Sequence, residues 1–257
     1  MDMHRPPIFL LTAYHGDPVA LKNIVGKNIE ELGPCDKWII VFDNLQFDLA
    51  DHLADKRVVY LKYTGPRGAG RARNFGLEHI KRNSEFPILL MPIDGDDELL
   101  SGSLNVIRNY FHSTTENMVS FGHIKKWPNK MLPICYDGYF ELNDLLRKYI
   151  TPCGSTVLRI TDRAILNEFK FSNRKRSNDN LFFMQAAKYF GSFRCITFPV
   201  LIYNVGNPHS VSGKKYKQIF YKYLAFRDFG LGRAKSVYLL YYYIIIGFSR
   251  HILKRNI

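Results

Sequence analysis

Short apolar runs recur along the first hundred residues, and each stops at a polar or glycine-rich turn. Ile8-Phe9-Leu10-Leu11 ends at Thr12-Ala13-Tyr14-His15-Gly16, and Trp38-Ile39-Ile40-Val41-Phe42 ends at Asp43-Asn44. Val58-Val59-Tyr60-Leu61 precedes the glycine-rich stretch 65–70, and Leu89-Leu90-Met91-Pro92-Ile93 runs into Asp94-Gly95-Asp96-Asp97-Glu98. Continuous runs of this length predict strands buried on both faces. Between them the period changes. Leu21, Ile24, Val25 and Ile29 recur at helical spacing after Asp17-Pro18, and a second helix is predicted over about 71–81. Strands alternating with helices predict βαβ units and a largely parallel sheet with the polar residues gathered along one edge. Beyond Ser101 the pattern loosens into a helix (104–111), a strand (118–123) and a long Tyr/Pro/Asn-rich segment. Ser177-Asn178-Asp179-Asn180 then precedes a helical run over 181–187.

The acidic cluster carries the first chemical signal. Two unit charges ~4 Å apart at an effective dielectric of ~20 repel by roughly 4 kcal/mol. Four carboxylates within positions 94–98 therefore need relief. A divalent cation shared with a phosphorylated ligand supplies it, since hard cations take carboxylate and phosphate oxygens together. Open α/β sheets also bind ligands at the carboxyl ends of their strands. A solvated acidic turn is the plain alternative.

Composition narrows the class. At 257 residues, 46% apolar and 14% aromatic, the chain is expected to fold around a sizeable core. Its four cysteines, Cys35, Cys135, Cys153 and Cys195, are widely spaced, so neither a zinc site nor a disulfide framework is expected. The N-terminal residues lack the pattern of a signal peptide. Charge is uneven: residues 214–257 hold ten Lys or Arg and one acidic residue, a net +9 of the chain's +13.

Taken together, a set of short motifs in order over residues 8 to about 212 resembles the bacterial family 2 glycosyltransferases, inverting enzymes of the GT-A fold. Thr12-Ala13-Tyr14 looks like the family's Pro-Thr-Tyr-Asn start, and Val41-Phe42-Asp43-Asn44 is similar to its Val-Val-Asp-Asp. Gly70-Arg71-Ala72-Arg73-Asn74-Phe75-Gly76 resembles its Gly…Ala-Arg-Asn-x-Gly segment, and Asp94-Gly95-Asp96 its Asp-x-Asp metal motif. Gly154-Ser155 with Arg159, Asn178-Asp179, and Tyr203 through Ser212 are similar to its later elements. His15, Asn44, Asn178 and Asn204 depart from the pattern, and His209 is displaced from the usual histidine position.

The resemblance implies a Rossmann-like nucleotide-binding α/β fold with a mixed, mainly parallel sheet flanked by helices. It implies a GT-A domain over 1–213, with the donor half in 1–100 and the acceptor half in 101–213, followed by basic aromatic helices over 214–257. It further implies that Asp96 and Asp94 bind Mn²⁺ or Mg²⁺. Thr12, Ala13, Tyr14, Asp43, Arg73 and Asp94 are the implied contacts of a nucleotide-sugar donor, UDP-linked by the same resemblance. Asp43 can accept a hydrogen bond from a uracil imide, or serve as a cap. Tyr14 can stack on the base, or simply pack. Arg73 can reach the base or diphosphate, or form a salt bridge. Asp179 is the implied general base, and it is equally suited to cap the helix that follows. The acceptor implied is a polyprenyl-diphosphate-linked glycan, in O-antigen or capsule synthesis. A sugar nucleotidyltransferase and a non-catalytic binding protein of the same fold are the alternatives.

The tail reads separately. Tyr216, Ile219, Phe220, Tyr223 and Leu224 recur at helical spacing with Lys215, Lys217, Lys222 and Arg227 between them. The apolar stretch 237–248 is too short for a span, which needs ~20 residues. Basic residues beside interfacial tyrosines predict in-plane attachment to an anionic membrane surface, which puts the protein on the cytoplasmic face. The other reading is packing on the catalytic domain. Nucleic acid is not expected, for want of a recognition motif.

Overall fold

The computed structural model describes residues 5–43, 55–148, 150–174, 177–205 and 215–253. Asn44, His209 and the rest of the segment up to Ser212 lie outside the described residues. Four strands come first in the sheet: β1 (Ile8–Tyr14), β2 (Lys37–Asp43), β3 (Val58–Tyr63) and β4 (Ile88–Pro92). They pair in parallel in the order β3-β2-β1-β4, with Tyr14 opposite Phe42 and Leu11 opposite Pro92. Helix α1 (Pro18–Asn28) connects β1 to β2, and α2 (Ala69–Asn83) connects β3 to β4.

The second half continues the same sheet with β5 (Glu98–Leu99), β6 (Met118–Trp127), β7 (Lys130–Ile134), β8 (Gly138–Glu141), β9 (Thr156–Ile160) and β10 (Ser192–Asn204). Beyond β4 the order is β9-β6-β10-β5, with β7 beside β6 and β8 beside β10. Here β10 runs parallel to β6, and the other pairings are antiparallel. Parallel pairing is thus concentrated in the first hundred residues, and the sheet is mixed, as the fold class requires. The long segment after residue 123 contains β7 and β8, whose residues lie mostly at or near the surface.

The apolar runs are continuous because both faces of the sheet are covered. Phe9, Leu11, Ile39, Val41, Ile88 and Leu90 face one core, while Ile8, Leu10, Trp38, Ile40, Leu89 and Met91 face the other. This is the period-2 alternation of a strand with an apolar partner on each side. The first core is roofed by α2, α4 (Leu142–Arg147) and α5 (Asn178–Phe190), the second by α1 and α3 (Ser103–Ser113). Phe171 and Phe182 stack at 4.3 Å between ring centroids, with their planes nearly parallel. Burying an aromatic of this size stabilises the fold by ~1.5–3 kcal/mol.

The C-terminal helices α6 (Lys215–Asp228) and α7 (Arg233–Leu253) pack on this body through α5 and α4. Ala225, Phe226 and Leu239 join the first core. The expected apolar stripe of α6 is therefore not the one that is buried: Phe220 is 58% exposed, whereas Lys222 is 3% exposed and Phe226 is fully covered. Among the described residues no helix is long and apolar enough to cross a membrane.

Candidate active site

Strand β1 ends with Thr12, Ala13 and Tyr14, and these side chains face inward. The Thr12 hydroxyl donates to the Ile93 carbonyl (3.0 Å) and accepts from the Trp38 indole (2.9 Å). Ala13 packs against the first core. The Tyr14 ring packs edge-on against Phe42, and its hydroxyl donates to the Asp17 carbonyl (2.6 Å). A Cβ on Gly95 would lie 2.4 Å from that ring. Glycine is therefore needed for the acidic loop to cross Tyr14. Burial first, then Asp17 and Asp96, raises the Tyr14 pKa.

At the end of β2, Asp43 accepts the Gly68 amide with both carboxylate oxygens (3.0 and 2.8 Å) and is 5% exposed. It thus fixes the entry to α2, and its remaining lone pairs are the ones left to a ligand. One turn into α2, Gly70 passes the next part of the chain with no room for a side chain, since a Cβ there would meet the Ser172 carbonyl at 1.9 Å. This close approach brings α2 to the start of α5. Arg73, 4% exposed, spans the junction: one terminal nitrogen donates to Asn178 (2.7 Å) and the other pairs with Asp94. Both terminal nitrogens are thus engaged within the protein.

The acidic loop itself is pinned from several elements. Gly154 donates to the Pro92 carbonyl (2.6 Å), Asn204 to the Asp96 carbonyl (2.7 Å) and Asn28 to the Asp97 carbonyl (3.0 Å). Asp94 and Asp96 are half-buried, and Asp97 is fully covered. Burial, with the charge of Asp94 second, lifts the Asp96 pKa to about 6 and raises that of Asp97 well above the carboxylate range. Neither Asp97 carboxyl oxygen has a hydrogen-bond partner. The fold thus relieves part of the charge crowding by itself, through Arg73 on Asp94 and through protonation favoured by burial.

Across the junction stands the first turn of α5. Ser177 precedes it with a left-handed backbone (φ 54°) and makes no side-chain cap. Asn178 is committed to Arg73, and Asp179 is half-buried. The charge of Asp179 is felt at Arg73, Cys153, Tyr203 and Lys222. Burial raises the Tyr203 hydroxyl pKa, and Asp94, Asp97, Asp96 and Asp179 all push it further up. These four carboxylates therefore converge on one tyrosine. Among the described residues no group of three or more His, Cys, Asp or Glu is arranged to hold a metal ion.

Asn28, Asn204, Tyr203 and Lys222 support this constellation without having been singled out as site residues in the sequence. Tyr203 and Asn204 could have been found from their place at the end of β10. Lys222 carried no signal, because its neighbours read as a solvated basic face. Arg159 serves the frame instead, donating to the Thr114 carbonyl (2.8 Å) and contacting that of Phe111.

No protein-family model matches the chain, and no curated protein matches it in sequence. The structure is similar to crystal structures of Staphylococcus aureus TarS. Against residues 1–349 of TarS in complex with UDP-GlcNAc the TM-score is 0.66 at 13% identity, covering 95% of this chain and 73% of that one. Against the same fragment with UDP it is 0.63 at 13% identity, covering 95% and 72%. Against the longer TarS structure it is 0.62 at 12% identity, covering 93% of this chain and 43% of that one. The chain has the GT-A fold, a mixed sheet flanked by helices.

Proposed function

We propose that the protein is an inverting glycosyltransferase that moves a sugar from a UDP-linked donor to a hydroxyl of a lipid-linked glycan, in bacterial surface polysaccharide synthesis. The observation that carries this reading is the junction at which Arg73 ties Asp94 of the acidic loop to Asn178, the residue before Asp179. It occurs at the edge where parallel strands end. A fold whose solved relatives include TarS with UDP and with UDP-GlcNAc supports the donor class.

In this mechanism Asp179 takes the proton of the acceptor hydroxyl as that oxygen attacks the anomeric carbon. The bond from that carbon to the diphosphate oxygen breaks in the same displacement, so UDP leaves with the electron pair and configuration inverts. Arg73 holds Asp94 on one side and the start of α5 on the other, keeping donor loop and base at a constant separation. Asn204 and Asn28 hold the loop backbone so that its carboxylates stay aimed as charge develops.

Asp94 and Asp96 offer the hard oxygen donors that Mg²⁺ or Mn²⁺ prefers, and such ions need only one or two carboxylates when phosphates supply the rest. These residues fit a cation of that kind. When bound, it would neutralise charge on the departing diphosphate. The exposed face of α7, with Val237, Tyr238, Tyr241, Ile244 and Ile245 beside the exposed Arg233 and Lys235, supports contact with an anionic membrane surface.

The test is calorimetry of UDP with and without Mn²⁺, followed by UDP release from a panel of UDP-sugars. Manganese should strengthen UDP binding on the order of tenfold or more, and at least one donor should be cleaved. Asp179→Asn should keep UDP affinity within about twofold and lose ~10²–10⁴ in rate, the usual contribution of a positioned base. Diphosphate release from UTP and a sugar phosphate, with no UDP-sugar cleaved, would replace this reading by nucleotidyl transfer.

A further inference from the structure

Lys222 is a buried lysine on the C-terminal helix α6, 3% exposed. Its ammonium donates to the Asn180 side-chain carbonyl at 2.6 Å. It also lies over the Phe226 ring (5.3 Å to the centroid) and the Tyr243 ring of α7 (5.6 Å). Burying a lysine is costly unless something is gained from its charge. The groups facing it are Asn180 and Asp179 from α5, Phe226 from its own helix and Tyr243 from α7; Asp179 is the charged group that acts on it.

The geometry of Asn180 gives that charge a target. An amide whose oxygen is held by an ammonium must turn its NH₂ elsewhere. Here the Asn180 NH₂ lies 3.5 Å from an Asp179 carboxylate oxygen, long for a hydrogen bond but close enough to favour the ionised form. Helix α6 is held in place further along, where Asp228 accepts from Arg174 (2.9 and 3.0 Å) and from the Ser172 hydroxyl (3.1 Å). The segment carrying Ser172 and Arg174 leads directly into α5. The C-terminal helix therefore grips both the approach to α5 and its first turn.

We propose that Lys222 is a positioning residue for Asp179: it orients Asn180 and, with its buried charge, keeps the Asp179 carboxylate ionised and aimed at the acceptor. The inference rests on the transferase reading for its consequence, but the coupling itself does not. The C-terminal helices are by this account part of the active site's construction. Burial lowers the Lys222 pKa to about 8, against the raising effect of Asp179.

The test uses the full chain labelled with ¹³C at aspartate Cγ, with the Asp179 resonance assigned by its loss in Asp179→Asn. Lys222→Met should raise the Asp179 titration midpoint by about one unit, a tenfold change in its ionisation equilibrium. Lys222→Arg, which keeps the charge, should restore the midpoint. In steady state at pH values below the Asp179 midpoint, Lys222→Met should lower the rate of UDP release from a cleaved UDP-sugar on the order of tenfold with donor KM unchanged. An Asp179 midpoint unmoved in a folded Lys222→Met protein overturns the proposal. Should that variant not fold, Asn180→Ala reads the same link, and an unmoved midpoint there overturns it equally. If the wild type cleaves no UDP-sugar while the midpoint shift is seen, the transferase reading fails and the coupling stands.

Discussion

His123 shows how a residue outside the catalytic set still registers the state of the site. It lies on β6, 5% exposed, with its ring edge-on to Tyr203 at 6.3 Å. Burial first and Lys125 second lower its pKa to about 4, so the folded protein holds it neutral. The unfolded chain protonates it near pH 6.5. A base whose folded pKa is depressed contributes stability that is present above the unfolded value and lost as pH falls toward the folded one. Stability should therefore drop from about pH 6.5 down to pH 4 by up to ~3 kcal/mol from this group. Urea midpoints for wild type and His123→Gln across that window check it; parallel curves would show that the imidazole does not titrate on unfolding. Individual residues were unevenly legible. Asp43, Asp94, Asp96 and Asp179 stand out in sequence as carboxylates at the ends of apolar runs or ahead of a helix. Thr12 and Tyr14 stood out for a nucleotide, yet their side chains are engaged with Ile93, Trp38 and Asp17.

At the scale of elements, the helices over 215–253 are where the sequence was least informative. Periodicity selected Tyr216, Ile219, Phe220, Tyr223 and Leu224 as a stripe for a membrane surface, with packing on the domain as the other reading, and the docked face is Lys222, Ala225 and Phe226. An aromatic-rich helix has apolar residues on more than one face, so periodicity alone cannot choose between them. Phe226 fills the first core completely. Phe226→Ala should cost ~3–5 kcal/mol, as large-to-small changes in cores do, measurable by denaturant unfolding. A loss below 1 kcal/mol would mean that α6 is not integral to the fold. The opposite face of α7 gives a separate prediction. Replacing Tyr238, Tyr241 and Ile245 with serine should leave unfolding nearly unchanged while reducing sedimentation with anionic phospholipid vesicles several-fold. Equal sedimentation of both proteins would count against a membrane role for that face.

Across the whole molecule, the first hundred residues were readable because they obey a simple rule: parallel strands buried on both faces give unbroken apolar runs. The residues that follow break that rule. Strands β7 and β8 lie along the margins of the sheet, where their side chains are largely exposed, so no apolar run marks them. Pro199 sits at the register shifts between β10 and β6, one of the few sheet positions that tolerates proline, and it disguises β10 in sequence. The site could be assembled from motifs at the sheet edge, whereas the buried ties from Asn28 and Lys222 depend on distant packing that no local pattern encodes.

The three consecutive residues that begin α5 answer to three different parts of the protein. Asn178 meets Arg73, Asp179 stands among the site carboxylates, and Asn180 meets Lys222. Successive residues of a helix point about 100° apart. Adding or removing one residue inside this first turn would turn these side chains about 100° away from their partners. Drift in length is therefore forbidden at this junction even where drift in side-chain identity is tolerated.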